Sequence, residues 1–166
     1  MMAENDRLWS AFDRHCMDEA IEHAKAASKR GEVPVGAVLA KDGQILAAAG
    51  NEVESRGSAL GHAEMIVLEL ASQTLGRHGF GGTALYVTLE PCVLCASALV
   101  TCRVESLVFG TRDERFGGCR SIYRITNDFR LNHRLEVREG LAAEICSALL
   151  GDFFRHRRLQ NSPGSV

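Results

Sequence analysis

The 166-residue chain has no apolar run approaching the roughly 18 residues of a membrane span. Its opening residues, MMAENDRLWS, contain no signal-peptide core. These absences predict a cytoplasmic protein with no membrane partner. Six cysteines are too few for a disulfide scaffold. In a reducing compartment they are expected as ligands, nucleophiles or core filling. A formal net charge of -2 gives no sign of a polyanionic partner. Repeats, low-complexity stretches and linkers are absent too. At roughly 150 residues per domain, the chain reads as one domain over residues 1–160 with a flexible tail at 161–166.

One absence is local. Residues 103–166 contain no lysine, yet carry 11 arginines against 8 acidic residues, whereas residues 1–102 carry 8 basic and 13 acidic residues. Arginine suits bidentate phosphate contact and base stacking, so this third reads either as a nucleic-acid footprint or as an arginine-rich solvated surface.

Apolar spacing predicts a helix over 9–30, with Trp9, Phe12, Cys16, Ala20, Ile21 and Ala24 inward. A buried strand over 33–40 and a Lys41-Asp42-Gly43 turn into a strand over 44–51 follow. The loop 52–61 leads to a helix from about His62 to Leu75, with Ala63, Ile66, Val67 and Leu70 inward. Further strands are expected at 84–89, 104–110 and 135–138. Pro91 marks a helix start, a short helical piece lies near Ser121, and a last helix runs from Leu141 to about Leu159. That last helix places Leu141, Ile145, Leu149 and Phe153 on one face. Strands alternating with helices imply an α/β domain of three layers, α/β/α, with the opening hairpin making the sheet partly antiparallel.

Two stretches carry chemistry: His62-Ala63-Glu64 and, after 26 intervening residues, Pro91-Cys92-Val93-Leu94-Cys95. Each falls at a helix start. Cys92 and Cys95 are three apart and share a helix face. Helix N-termini favour thiolates. With His62 they form a donor set suited to one Zn²⁺ per chain, and three protein ligands leave a fourth position open, as in catalytic sites. Glu64, two residues beyond His62, is the candidate proton shuttle of a hydrolytic deamination. Alternatives are a thioredoxin-like redox pair or a closed structural zinc site completed by Cys102, Cys119 or His78. Cys16, Cys102, Cys119 and Cys146 read as small core residues.

The pattern H-x-E…P-C-x-x-C is a recognised signature of zinc deaminases acting on bases. Beyond it, the chain resembles the bacterial tRNA-specific adenosine deaminases, within the cytidine-deaminase-like superfamily, over nearly all its length. The resemblance lies in residues 32–39 (EVPVGAVL), 85–92 (LYVTLEPC), 110–113 (GTRD), 132–137 (NHRLEV) and 151–155 (GDFFR). It implies a central mixed five-stranded sheet and conversion of the wobble adenosine of an arginine tRNA to inosine, with release of ammonia. It also implies a homodimer whose active sites border the subunit interface, and an anticodon stem-loop as partner. Carried over, His62, Cys92 and Cys95 hold zinc and Glu64 shuttles the proton. Asn51 reads the purine edge, Val33 and Pro34 shape the pocket wall, and Ala63 adjoins the substrate. Arg112 and Asp113 lie beside the RNA, and Phe154 with Arg155-His156-Arg157-Arg158, Arg157 in particular, line its path.

Two segments depart from the family's pattern. Ser58-Ala59-Leu60-Gly61 precedes the ligand histidine where Asp-Pro-Thr-Ala is usual, and Gly61 is expected to loosen the approach to His62. Glu114, Arg115 and Phe116 follow Asp113 where small residues or lysine are common. Both adjoin the substrate mouth, so a deaminase of free bases or nucleosides, of guanine or cytosine type, is the alternative. A non-catalytic zinc-bearing RNA-binding subunit is a third reading, opposed by the presence of Glu64.

Overall fold

The computed structural model describes residues 8–161, so the expected tail, past Asn161, lies outside the described residues. Ser10 caps the first helix, α1 (Ala11–Lys29). Its hydroxyl accepts the Asp13 N–H while the Asp13 carboxylate accepts the Ser10 N–H, a reciprocal capping box. The first strand, β1 (Gly36–Lys41), begins three residues later than the apolar run predicts. Pro34 has no N–H to give to a ladder, and the Val35 N–H instead donates to the Val33 carbonyl at 2.8 Å, a tight turn that leads into the strand. Lys41 pairs with Gln44 across a two-residue turn in which Asp42 and Gly43 both have positive φ, the geometry that fits the twist of a tight hairpin. β2 (Gln44–Gly50) returns alongside β1.

The loop expected over 52–61 contains a single helical turn, α2 (Val53–Arg56). Then come α3 (Ala63–Leu75), β3 (Ala84–Leu89), α4 (Val93–Thr101), β4 (Ser106–Thr111), a 3₁₀ turn at Ile125–Asn127, β5 (Glu136–Glu139) and α5 (Ala143–Gln160). Two inward faces differ from the sequence expectation. Leu70 is exposed, and Leu68 and Ala71 are buried in its place. On α5, which begins only at Ala143, Ile145 is exposed while Cys146 and Phe153 are buried, because the helix sets Cys146 directly against Gly110 of β4.

The five strands lie in the order β2-β1-β3-β4-β5, with β1 antiparallel to both neighbours and β3, β4 and β5 parallel. Side chains alternate across the sheet. Ala37, Leu39, Leu85, Val87, Leu107 and Phe109 join the core beneath α3 and α4; Val38, Ala40, Tyr86 and Val108 join the core with residues of α1 and α5. This is the three-layer α/β/α arrangement, with a mixed five-stranded sheet. α1 lies very close to the sheet, since a Cβ on Gly36 would run into the Ala20 carbonyl and one on Gly50 would lie 2.6 Å from the His23 carbonyl oxygen. Asp13 also crosses the layers, accepting from Tyr86 of β3 and from both terminal nitrogens of Arg138 of β5.

Strand direction places the site. β2, β3, β4 and β5 run one way and β1 the other. The carboxyl ends of four strands therefore gather at one edge with the lead-in to β1. Asn51, Glu90-Pro91-Cys92, Arg112 and Val33–Val35 meet there, at the end of the sheet where open α/β folds place their ligands.

Candidate active site and metal centre

His62 is the N-cap of α3 and Cys92 the N-cap of α4, both in extended backbone, with Cys95 one turn into α4. The positive ends of the two helices thus converge on one group of donors. His62 Nδ1 stands 3.6 Å from Cys92 Sγ and 3.4 Å from Cys95 Sγ. Tetrahedral legs of about 2.3 Å to sulfur and 2.0–2.1 Å to nitrogen require an N···S separation of about 3.5 Å. The three residues therefore fit a zinc-sized ion by both chemistry and spacing, and their donor atoms lie within 4.8 Å of one another. Cys102, Cys119 and His78 do not join this cluster among the described residues. That removes the closed four-ligand site and leaves an open position. A redox pair is also disfavoured, because the histidine is as close to each sulfur as a shared metal demands.

A hydrogen bond from Cys95 is the chief cause that brings the Cys92 thiol down to about 4, with His62 assisting against burial. The same bond, together with burial, drives Cys95 far upward. Glu64 sits in the first turn of α3 and is 4% exposed. Burial is the main cause that pushes its carboxyl up to about 7; its own backbone N–H offsets part of this, and the Cys92 charge adds to it.

Asn51, buried just past β2, turns its side-chain carbonyl to accept the Ala63 N–H at 2.9 Å. Ala63 is itself fully buried, and that N–H is the polar group it has to offer. Pro34 is buried and Val33 half-buried against the core beneath α3. Arg112 is exposed and makes a two-pronged pair with Glu139 of β5 at 2.8 Å. Asp113 caps its own turn, accepting from the N–H groups of Arg115 and Phe116. Phe154, 42% exposed, meets buried Phe153 edge-on at 5.4 Å. Arg157 lies over the Phe153 ring and 3.8 Å from the Glu54 carboxylate, so the last turns of α5 reach α2. Arg155 pairs with Asp152. The structure thus brings His62, Cys92 and Cys95 together, with buried Glu64 and the Asn51–Ala63 bond at the same start of α3. Arg112, Asp113, Phe154 and Arg157 lie outside this group, on the neighbouring loop and on α5.

Gly61 acts opposite to expectation. A Cβ there would stand 2.7 Å from the Glu52 carbonyl oxygen, and the Glu52 N–H donates to the Gly61 carbonyl at 2.8 Å. The glycine draws the loop tight against the chain leading from β2, and so fixes the approach to His62. Two residues that sequence reasoning passed over do similar work. Glu32, buried behind α1, accepts from the backbone of Glu54 and Ser55 and from the Ser55 hydroxyl, holding α2 in place. Burial alone would raise its pKa, but these bonds, with another from the Val53 N–H, hold it below the ordinary value. Glu90, immediately before Pro91, holds the loop on the other side. Its sequence signals were a charged residue at the end of an apolar strand and its place in the family-like stretch 85–92.

The family model of the MafB19-like deaminases matches residues 12–158. The tRNA-specific adenosine deaminase of Bacillus subtilis (strain 168) is 44% identical over 146 residues, 88% of this chain and 91% of that protein. That of Aquifex aeolicus (strain VF5) is 41% identical over 139 residues, 84% and 91% of the two chains. A solved structure from work on A-to-I editing by tRNA:A34 deaminases at the wobble position of transfer RNA matches with a TM-score of 0.80. It is 37% identical, with 82% of this chain and 99% of that one covered.

Proposed function

This chain belongs to the tRNA-specific adenosine deaminases and matches the model of the MafB19-like deaminases, and from that premise we propose that it deaminates the wobble adenosine of an arginine tRNA to inosine. Adenosine and water become inosine and ammonia. The observation that carries this reading is the His62, Cys92 and Cys95 donor set at zinc spacing with buried Glu64 against it. Zinc, when bound, supplies positive charge that makes an attacking water more acidic. Glu64 takes the proton from that water and delivers it to the departing exocyclic amine, one carboxylate serving first as base and then as acid. A position shielded from bulk water keeps the proton on this route.

Asn51 spends its carbonyl on Ala63, which leaves its amide nitrogen to donate to an acceptor on the purine edge. The Ala63 contact holds that amide in one orientation. Val33 and Pro34 form the apolar wall against the base, and Ala63 is the small floor beside it. Arg112 and Asp113 shape the loop along the RNA. Phe154 offers a stacking surface, and Arg157 with Arg155 and Arg158 offers cations to phosphates. No described helix is long and apolar enough to cross a membrane. The active unit in this reading is a cytoplasmic homodimer of single-domain chains.

The deciding experiment incubates the protein with an anticodon stem-loop carrying adenosine at the wobble position, and in parallel with guanine, cytosine and free nucleosides. Inosine in the stem-loop is the expected product. Turnover of guanine or cytosine with none in the stem-loop would overturn the reading in favour of a free-base deaminase.

A further inference from the structure

The segment from Asp113 to Ser121 joins no strand of the sheet, apart from one isolated bridge between Gly117 and Cys92. Its backbone nonetheless has a single organising centre. The Glu90 carboxylate is 2% exposed. One of its oxygens accepts the N–H groups of Cys119 at 3.1 Å, Arg120 at 2.6 Å and Ser121 at 2.9 Å. The other accepts the Asp113 N–H at 3.0 Å and the Ser121 hydroxyl. Among the described residues no basic side chain forms an ion pair with it, so four backbone N–H groups and one hydroxyl solvate this buried anion. Successive N–H groups curled around a negative charge form a nest. The nest closes only when the loop is in its observed shape.

Glycines make that shape possible and transmit it. A Cβ on Gly117 would stand 2.5 Å from the Glu90 carboxyl carbon, and one on Gly118 would stand 3.0 Å from the backbone carbonyl of Cys92. The Gly118 N–H donates to the Pro91 carbonyl at 2.8 Å. The loop thus rests directly on the residue that caps α4 and supplies a sulfur to the donor set.

We propose that Glu90 is the positioning residue of the metal centre: by folding the 113–121 loop onto Cys92 it holds that sulfur in register with His62 and Cys95, and so sets the affinity for zinc. The proposal rests on the donor set read above and is independent of the substrate. Glu90 touches no donor atom. It acts through the loop, as residues behind metal ligands do when their loss lowers affinity by about 10–100-fold. A glutamine keeps the length and the three bonds to one oxygen, but turns an N–H towards the Asp113 N–H.

The test compares the purified full-length chain with Glu90→Gln, Glu90→Ala and Asp13→Asn. Asp13 is another buried carboxylate, accepting four hydrogen bonds on the opposite face of the sheet, away from the site. Zinc affinity is measured by chelator competition, the ligand field by the absorption of the Co²⁺-loaded chain, and folding by thermal melting. Glu90→Gln is expected to weaken zinc at least about tenfold and to shift the cobalt bands. Asp13→Asn is expected to lower the melting temperature with zinc affinity and bands unchanged. Should Glu90→Ala fail to fold, Glu90→Gln carries the comparison. Wild-type zinc affinity and cobalt bands in Glu90→Gln, or an equal loss of affinity in Asp13→Asn, would overturn the proposal. A wild-type chain that binds no zinc would overturn the donor set itself, and the proposal with it.

Discussion

Asn51 Oδ1 accepts the backbone N–H of Ala63 at 2.9 Å, joining the end of β2 to the first turn of α3 with the ligand His62 beside the junction. One side chain thus satisfies a free donor of the helix start, and in the proposed reading it also offers its amide to the purine. The two jobs separate by substitution. Asn51→Asp retains the acceptor and is expected to keep most of the stability while losing deamination, because the amide donor to the purine is gone. Asn51→Ala strands a buried N–H and is expected to lose about 1–3 kcal/mol as well. Chemical denaturation and stem-loop turnover of both variants check this. Full activity in Asn51→Asp would remove Asn51 from purine recognition.

Glu64 and the donor set are likewise separable. Glu64→Ala is expected to lower turnover by at least about 10²–10⁴-fold, the usual scale for general acid–base catalysis. It should still bind one zinc per chain, measured by elemental analysis. Loss of the metal together with activity would make Glu64 a part of the binding site rather than the proton carrier.

Arg155, Arg157 and Arg158 crowd the end of α5, and Arg157 stands against Glu54 at 3.8 Å. If they meet phosphates, binding of an anticodon stem-loop weakens with salt, and each replacement flattens the log–log slope by about 0.7 per lost contact. Anisotropy titrations across a salt series measure it. A slope unchanged in the triple alanine variant would assign these arginines to the solvated surface.

The Asp13 network makes stability depend on pH. Burial raises the pKa of this carboxyl, but bonds from Arg138, the Ser10 N–H and Tyr86 outweigh it and hold it well below its ordinary value of 3.8. The unfolded chain therefore takes up the proton more readily than the folded one. Asp13 contributes stability in full above the ordinary value, and the contribution is lost as pH falls through it towards the lower folded value. Wild type should exceed Asp13→Asn in unfolding free energy at pH 7, with the gap narrowing on acidification below about pH 4. A gap constant from pH 7 to pH 3 would contradict the network's charge.

Neighbouring positions 60 and 61 should respond in opposite ways. Gly61→Ala places a carbon against the Glu52 carbonyl and is expected to lower the melting temperature by several degrees, the scale of about 1 kcal/mol or more. Leu60, 59% exposed, should tolerate threonine with little change in melting. Equal melting of Gly61→Ala and wild type would mean that the loop is looser than the close approach indicates.

The donor set was legible in the sequence because its geometry is local. A histidine one residue before a helix and two cysteines three apart at another helix start have fixed directions wherever those helices go. The Asp-Gly turn and the apolar runs of β1, β3 and β4 were legible for the same reason, since each rests on the conformational preference of a few adjacent residues. The fold class followed from strands alternating with helices. Strand order did not: β1 lies between β2 and β3, and only that order brings Asn51, Cys92 and the lead-in to β1 to one end of the sheet. Ile145 and Cys146 are both apolar, and the register of α5 against β4 decided which of them is buried. Gly61 looked permissive because a glycine shows its freedom in sequence, whereas its use here depends on a carbonyl nine residues away. Glu32 and Glu90 were least visible of all. Their partners are backbone N–H groups of loops distant in sequence, and every residue but proline carries such a group. The sequence therefore named the candidate donors that the fold brings together, because side-chain chemistry belongs to the residue. Tertiary structure alone chose the carboxylates that hold those atoms in place, because a backbone donor acquires its identity only from where the chain has folded.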